Sequence, residues 1–232
     1  MAASSHLLFI PGLGCNARLY AAQIQALSGR VAMSVADHTR GTSIAEIASQ
    51  ILAEAPASFS LCGLSMGGYL AMEIMRQAPQ RVERLALLDT TAAPDTPEGR
   101  ARREATMQRA GAGDYEGVIE MLYPVLVRPA VHDDVAMKAA VGGMMREVGV
   151  ATFLRQQAAI LGRVDSRPSL PAIRCKTMAL VGADDALTPP SAAREMASLI
   201  PGATLVEVPD CGHMAPMEQP EAVNRALTAW LE

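Results

Sequence analysis

A serine with a glycine two residues away on either side, in Gly63-Leu64-Ser65-Met66-Gly67, is the first place in this 232-residue chain where residue types and spacing can do chemistry. The pattern G-x-S-x-G suits a sharp turn that strains the serine backbone, so that the side chains two before and two after must be minimal. Ser58 to Cys62, just before it, is strand-like and ends in apolar residues. From Gly68 to Arg76 the apolar residues Leu70, Ile74 and Met75 have the spacing of a helix. A serine between strand and helix presents its hydroxyl at a helix N-terminus, where the dipole favours developing negative charge. The same five residues also fit a glycine-rich turn whose serine caps a helix, so the rest of the chain has to decide.

A serine hydroxyl is a poor nucleophile at neutral pH and needs a base, which in turn needs an orienting partner. The chain has four histidines, at 6, 38, 132 and 213. His6 precedes the first strand-like run, which places it at the wrong edge of a parallel sheet. His132 falls in a helical segment. His213 lies in Asp210-Cys211-Gly212-His213-Met214-Ala215-Pro216, after the last strand-like run, and emerges at the same edge as Ser65. His38 also follows a strand and is the rival. For the acid, Gly182-Ala183-Asp184-Asp185-Ala186-Leu187-Thr188-Pro189 follows another strand at that edge. One carboxylate there can fix the tautomer of the imidazole and stabilise the imidazolium. Adjacent aspartates point different ways, so only one of Asp184 and Asp185 can do this, and Asp89, ending a further strand, is a third candidate.

A tetrahedral oxyanion needs two preorganised N–H donors. Met66, following the serine, supplies one. Leu13 is the expected source of the other, because Gly12-Leu13-Gly14 lets the backbone approach a ligand closely. Phosphate binding is disfavoured: G-x-x-x-x-G-K-[ST] is absent, and PGLGCNA does not complete G-x-G-x-x-G.

The elements that must position these residues alternate. Strands are expected at Leu7–Ile10, Val31–Val35, Ser58–Cys62, Arg84–Asp89, Thr177–Gly182 and Thr204–Val208. Helices are expected at Arg18–Leu27, Ser43–Glu54, with Ser43 and Glu46 as a capping box, Ser191–Ile200 and Pro220–Leu231. Such alternation means an α/β fold with a mainly parallel sheet and ligand chemistry at the C-terminal strand ends. Residues 95–168 break the rhythm with helical patterns alone: Pro97–Ala110 capped by Thr96, Tyr115–Val127 bent at Pro124, and Val131–Arg163 interrupted near Gly149. The expected organisation is a core of residues 1–94 and 169–232 with a helical cap, or lid, of residues 95–168 over the serine.

Composition narrows the functional classes. A net charge of -4 without a long basic run argues against nucleic acid. No apolar run is long enough to span a bilayer, and MAASSHLLFI lacks the cationic start of a signal peptide. The four cysteines show no C-x-x-C spacing, so a reduced, cytoplasmic, zinc-free protein is expected, as a monomer or homodimer. The methionines at 107, 121, 137, 144 and 145 suit an adaptable apolar pocket.

Taken together, LLFIPGLG, GLSMGGYLAMEI, VGADDALTPP and VPDCGHMAPMEQPEAV resemble the α/β-hydrolase superfamily over nearly the whole chain. The tail is similar to the branch containing enol-lactone hydrolases, small esterases and C–C bond hydrolases. The resemblance implies the nucleophile-elbow role for Ser65, places the acid on Asp185 through G-x-x-D, and places the base on His213. It also implies that the order Ser, Asp, His is the triad order. Pro11 stands where the family commonly has a histidine before Gly12, which changes what supports that loop. The sheet is expected to have about six strands and to lack the first antiparallel pair. The implied activity is hydrolysis of a small carboxylic ester or lactone without metal or organic cofactor. The rivals are cleavage of an activated C–C bond, acyl transfer or perhydrolysis, and a ligand-binding module on the same fold.

Overall fold

In the computed structural model, which describes residues 6–232, six strands form one sheet. They are β1 (Leu7–Ile10), β2 (Met33–Val35), β3 (Phe59–Leu64), β4 (Val82–Leu88), β5 (Lys176–Gly182) and β6 (Thr204–Val208). Their order across the sheet is β2-β1-β3-β4-β5-β6, and every pairing is parallel. β1 and β3 are buried along their whole length, as strands covered on both faces must be, and this is why β1 reads as a continuous apolar run. Successive side chains go to opposite faces. Leu8, Ile10, Leu61, Leu85 and Leu87 enter one core, with α2 (Ile44–Glu54), α3 (Met66–Gln77) and α8 (Pro190–Leu199) over it. Leu7, Phe9, Cys62, Leu64 and Leu88 enter the other, beneath α1 (Ala21–Leu27) and α10 (Pro220–Leu231). Each fully buried leucine contributes roughly 1.5–3 kcal/mol of transfer free energy.

The chain runs from β1 outward to β2, then returns to the other side of β1 to lay down β3. The reversal separates the loops leaving the C-terminal ends of β1 and β3, which is where a parallel sheet opens a crevice for ligands. The loop Pro11–Asn16 and Ser65 flank that crevice.

Four helices lie between β4 and β5: α4 (Pro97–Gly111), α5 (Tyr115–Leu126), α6 (Val135–Val148) and α7 (Val150–Leu161). Thr96, Asp114 and Asp134 cap the first three, accepting from the N–H groups of Gly99, Gly117 and Met137. Gly149, at φ 81°, separates α6 from α7 where the sequence places the interruption. Ala110, Val118, Ile119, Met145 and Phe153 give this insertion a small core of its own.

The structure departs from the sequence expectations in detail. The first helix begins as a 3-10 turn at Ala17–Tyr20, which Asn16 caps by accepting the Arg18 N–H at 3.0 Å. β2 is shorter than Val31–Val35 because its pairing with β1 runs only from Met33 to Val35. The Ser43 capping box is half made: Ser43 Oγ accepts from the Glu46 N–H at 3.2 Å, but the Glu46 carboxylate accepts from the Thr42 N–H at 2.8 Å. The expectation for residues 1–5 lies outside the described residues.

Candidate active site

Ser65 occupies the single residue between β3 and α3, with φ 55° and ψ -113°. That backbone region is costly for a residue with a side chain, about 1–3 kcal/mol, and persists only where the surroundings impose it. They do so on three sides. The Ser65 N–H donates to the Leu88 carbonyl at 3.0 Å, and Thr90 Oγ1 donates to the Ser65 carbonyl at 2.8 Å. A Cβ at Gly63 would stand 2.2 Å from the Gly67 carbonyl oxygen, and one at Gly67 would stand 2.0 Å from that of Ile10. The two flanking glycines are thus demanded by backbone packing. Among the described residues, the non-glycine residues with positive φ are Ser65, Asp89 and Asp210, all just beyond the ends of β3, β4 and β6. Strain is concentrated on one rim of the sheet.

His213 follows β6 and is held from both sides. Its N–H donates to the Leu126 carbonyl at the end of α5 at 3.1 Å. The Glu218 carboxylate, in the short helix α9 (Ala215–Glu218), accepts the N–H groups of Gly212 and Met214, each at 3.1 Å. On the imidazole, Nδ1 lies 2.8 Å from Asp185 Oδ2 and 3.2 Å from Thr188 Oγ1. The Asp185 carboxylate also accepts the Leu187 and Thr188 N–H groups at 2.8 and 2.9 Å and the Thr188 hydroxyl at 2.7 Å. Both members of the pair are buried, at 3% exposure for Asp185 and 2% for His213. Because Asp185 can only accept when ionised, the Nδ1 proton faces it and Nε2 is left as the basic atom.

Burial works against charge on both groups, but their mutual attraction outweighs it. Asp185 is lowered despite burial, by the His213 charge and hydrogen bond and by Thr188. His213 is raised above its ordinary 6.5 despite burial, by the charge and hydrogen bond of Asp185.

The other candidates go elsewhere. Asp184 is exposed. Asp89 is fully buried, and its Oδ1 accepts the Gly182 N–H at 2.9 Å. Burial first, and then the Asp185 charge, pushes its carboxyl well above the usual range. The rival His38 is also buried, with Nε2 3.0 Å from the Gly12 carbonyl. A carbonyl only accepts, so Nε2 carries the proton and His38 braces the loop after β1. His6 Nε2 meets Ser34 Oγ at 2.7 Å, and His132 Nε2 meets the Val127 carbonyl at 3.3 Å.

Ser65, His213 and Leu13 line one cavity of about 710 Å³, roofed by the insertion through residues such as Leu122 and Met145. No hydrogen bond joins the Ser65 hydroxyl to the imidazole among the described residues; in ligand-free sites such bonds are commonly long and tighten with substrate. Met66 is the first residue of α3, so its N–H has no acceptor within the helix. Of the five insertion methionines, Met121 and Met145 line the cavity, while Met144 packs into the sheet core. Among the described residues, no group of three or more His, Cys, Asp or Glu side chains is gathered to hold a metal ion. No helix there is long and apolar enough to cross a membrane.

Sequence reasoning passed over Thr90, Thr188, Gln156 and Glu218. Thr188 stands three residues after Asp185, a spacing that suits a side-chain-to-backbone turn. Glu218 acts on N–H groups only four and six residues before it, whereas Thr90, bonded to Ser65, and Gln156, whose Oε1 accepts the Gly14 N–H at 3.0 Å, act across the fold and leave no local pattern.

A sheet of this order with a strained serine after β3, an acid after β5 and a histidine after β6 is the arrangement of the α/β hydrolases. The profile described as Alpha/beta hydrolase family matches residues 7–226, and the chain belongs to that family. It is 29% identical over 199 residues to BpoC of Mycobacterium tuberculosis, which carries a non-heme bromoperoxidase designation; the match covers 82% of this chain and 74% of the relative. It is similar to a malate-bound thermophilic esterase from Thermogutta terrifontis, at 28% identity and a TM-score of 0.87 over 98% of this chain and 89% of the other. It also shares its fold with the enol-lactonase of Burkholderia xenovorans LB400, at 22% identity and a TM-score of 0.89 over 99% and 92% of the two chains.

Proposed function

We propose that the protein is a serine hydrolase of small carboxylic esters or lactones. Ser65 Oγ attacks the carbonyl as His213 Nε2 takes its proton. The Leu13 and Met66 N–H groups bind the oxyanion. The imidazolium returns the proton to the leaving oxygen, giving an acyl-Ser65 intermediate, and water deprotonated by His213 releases the acid. Asp185 holds the imidazole in the required tautomer and stabilises its charged form. The segment 95–168 acts as a lid over the core of residues 1–94 and 169–232. The observation that carries this reading is the buried Asp185–His213 pair, 2.8 Å apart, whose histidine lines with Ser65 a cavity that holds no other histidine among the described residues.

The test is active-site labelling. A fluorophosphonate probe should label the wild-type protein and not Ser65→Ala, and the same substitution should abolish turnover of p-nitrophenyl butyrate. Labelling or turnover that survives Ser65→Ala removes the serine from the chemistry. The bromoperoxidase designation of BpoC favours one second reading, in which hydrogen peroxide replaces water as the acyl acceptor and a peracid is released. Product analysis with peroxide competing against water separates the two.

A further inference from the structure

We propose that the cavity contains an anion subsite, and that the substrate is an ester or lactone carrying a separate carboxylate. This rests on the serine-hydrolase reading and narrows it. Four arginines, at 102, 103, 109 and 163, line the cavity together with a single aspartate, Asp95. Arg109 is answered by Asp114, at 2.5 Å. Asp95 is shared. Its Oδ2 lies 2.9 Å from Arg103 Nε, and its Oδ1 lies 2.8 Å from Arg163 Nη2. These side chains are largely withdrawn from solvent, at 18% exposure for Arg103, 15% for Asp95 and 6% for Arg163. Two guanidinium groups around one carboxylate leave one positive charge uncompensated inside a mainly apolar cavity. The two arginines hold Asp95 down to about 2 against the opposing effect of burial, so protonation of the aspartic acid does not alter that balance at neutral pH.

The cluster has donor capacity to spare. Arg163 Nε is buried without an acceptor among the described residues. The Arg163 guanidinium lies over the Tyr69 ring, 4.5 Å from its centroid. Tyr69 lines the cavity from α3, four residues after Ser65, so the positive cluster sits about one helical turn along α3 from the reacting hydroxyl. Arg102 adds a further cationic side chain to the same lining. Arginine forks match a carboxylate in shape and charge, and low-dielectric walls keep the field from being screened. The buried excess is a single charge, which a carboxylate monoanion balances; a phosphate dianion would overshoot it. A purely structural role, pinning α4 and the end of α7 to the strand end that carries Asp95, predicts no dependence on substrate charge.

The experiment compares hydrolysis of monomethyl glutarate and monomethyl adipate with methyl pentanoate and methyl hexanoate, with fluorophosphonate labelling run alongside. The wild-type protein should favour the charged ester in kcat/KM by about tenfold or more at low salt, chiefly through KM, and the preference should shrink as salt is added. Arg103→Gln should cut the charged-to-neutral ratio by about tenfold. Arg103→Lys should retain most of it, and Asp95→Asn, which frees both guanidinium groups, should raise it. If Arg103→Gln does not fold, Arg103→Lys and Asp95→Asn still move the ratio as stated or refute the subsite. Labelled enzyme that cleaves neutral esters equally well or better overturns the subsite and leaves the hydrolase reading intact. Protein that is neither labelled nor active on any ester overturns both.

Discussion

His38 holds the carbonyl of Gly12 with its Nε2–H at 3.0 Å, and so stands behind the loop that carries Leu13. The same loop is tied to the insertion, because the Gly14 N–H donates to Gln156 Oε1 at 3.0 Å and Gln156 Nε2 reaches the His38 carbonyl at 3.4 Å. Burial lowers the pKa of His38, which keeps it neutral and able to serve as a fixed brace. Here the loop has Pro11 before Gly12, and the support comes from outside it.

Replacing His38 with alanine should therefore act on the chemical step. The Gly12 carbonyl loses a buried donor, at about 1–3 kcal/mol, and the Leu13 N–H, a proposed oxyanion donor, loses its support. The expected result is a fall in kcat of about tenfold or more on p-nitrophenyl butyrate, with KM changing less. An unchanged kcat in a folded His38→Ala protein would detach this residue from the site.

The two adjacent aspartates should separate by orders of magnitude. Asp185→Asn presents an amide to Nδ1 and favours the wrong imidazole tautomer, so kcat should fall on the order of 10³–10⁴. Asp184 is exposed, and Asp184→Asn should stay within about twofold, as surface substitutions usually do. The reverse order would place the acid on the wrong side chain.

The pH profile carries a sign. In the proposed mechanism His213 must be neutral to accept the serine proton, and Asp185 raises its pKa above 6.5. Activity should thus be lost as pH falls through a value above 6.5, seen as the acid limb of kcat/KM. An acid limb clearly below that value would mean that the carboxylate does not govern the titrating base.

Gly67→Ala tests the elbow through stability. Its new methyl would meet the Ile10 carbonyl oxygen at 2.0 Å, where backbone faces backbone and neither side can yield cheaply. A loss of about 3 kcal/mol or failure to fold is expected in urea or thermal unfolding, at the upper end of overpacking costs. Gly202→Ala is the contrast: it has the strain of φ 73° but open space around it.

Much of this was legible because parallel strands covered on both faces advertise themselves as unbroken apolar runs. β1 occupies the residues the pattern marks, and Ser65 and His213 emerge where chain order puts them. β2 is shorter than its apolar pattern because β1 pairs with it through Met33–Val35 alone, a limit set by the partner strand and not written in its own residues. The braces were invisible for a different reason. Gln156 meets Gly14, and Thr90 meets Ser65, through contacts that only the finished fold creates. His38 carried a signal, being a histidine after a strand, but sequence could not say that it would turn toward a carbonyl.

β4 and β5 are neighbours in the sheet yet have four helices between them along the chain, and the His213 loop comes after both. Pairings so remote in sequence form slowly, since the intervening chain must be ordered first. In the proposed mechanism a ribosome therefore completes the serine turn long before it releases the imidazole that would activate it, and a nascent chain that has not yet reached residue 213 should be inert. In refolding, helical signal should return ahead of ester turnover, so that recovered activity marks the closing of the whole polypeptide and not the assembly of any part.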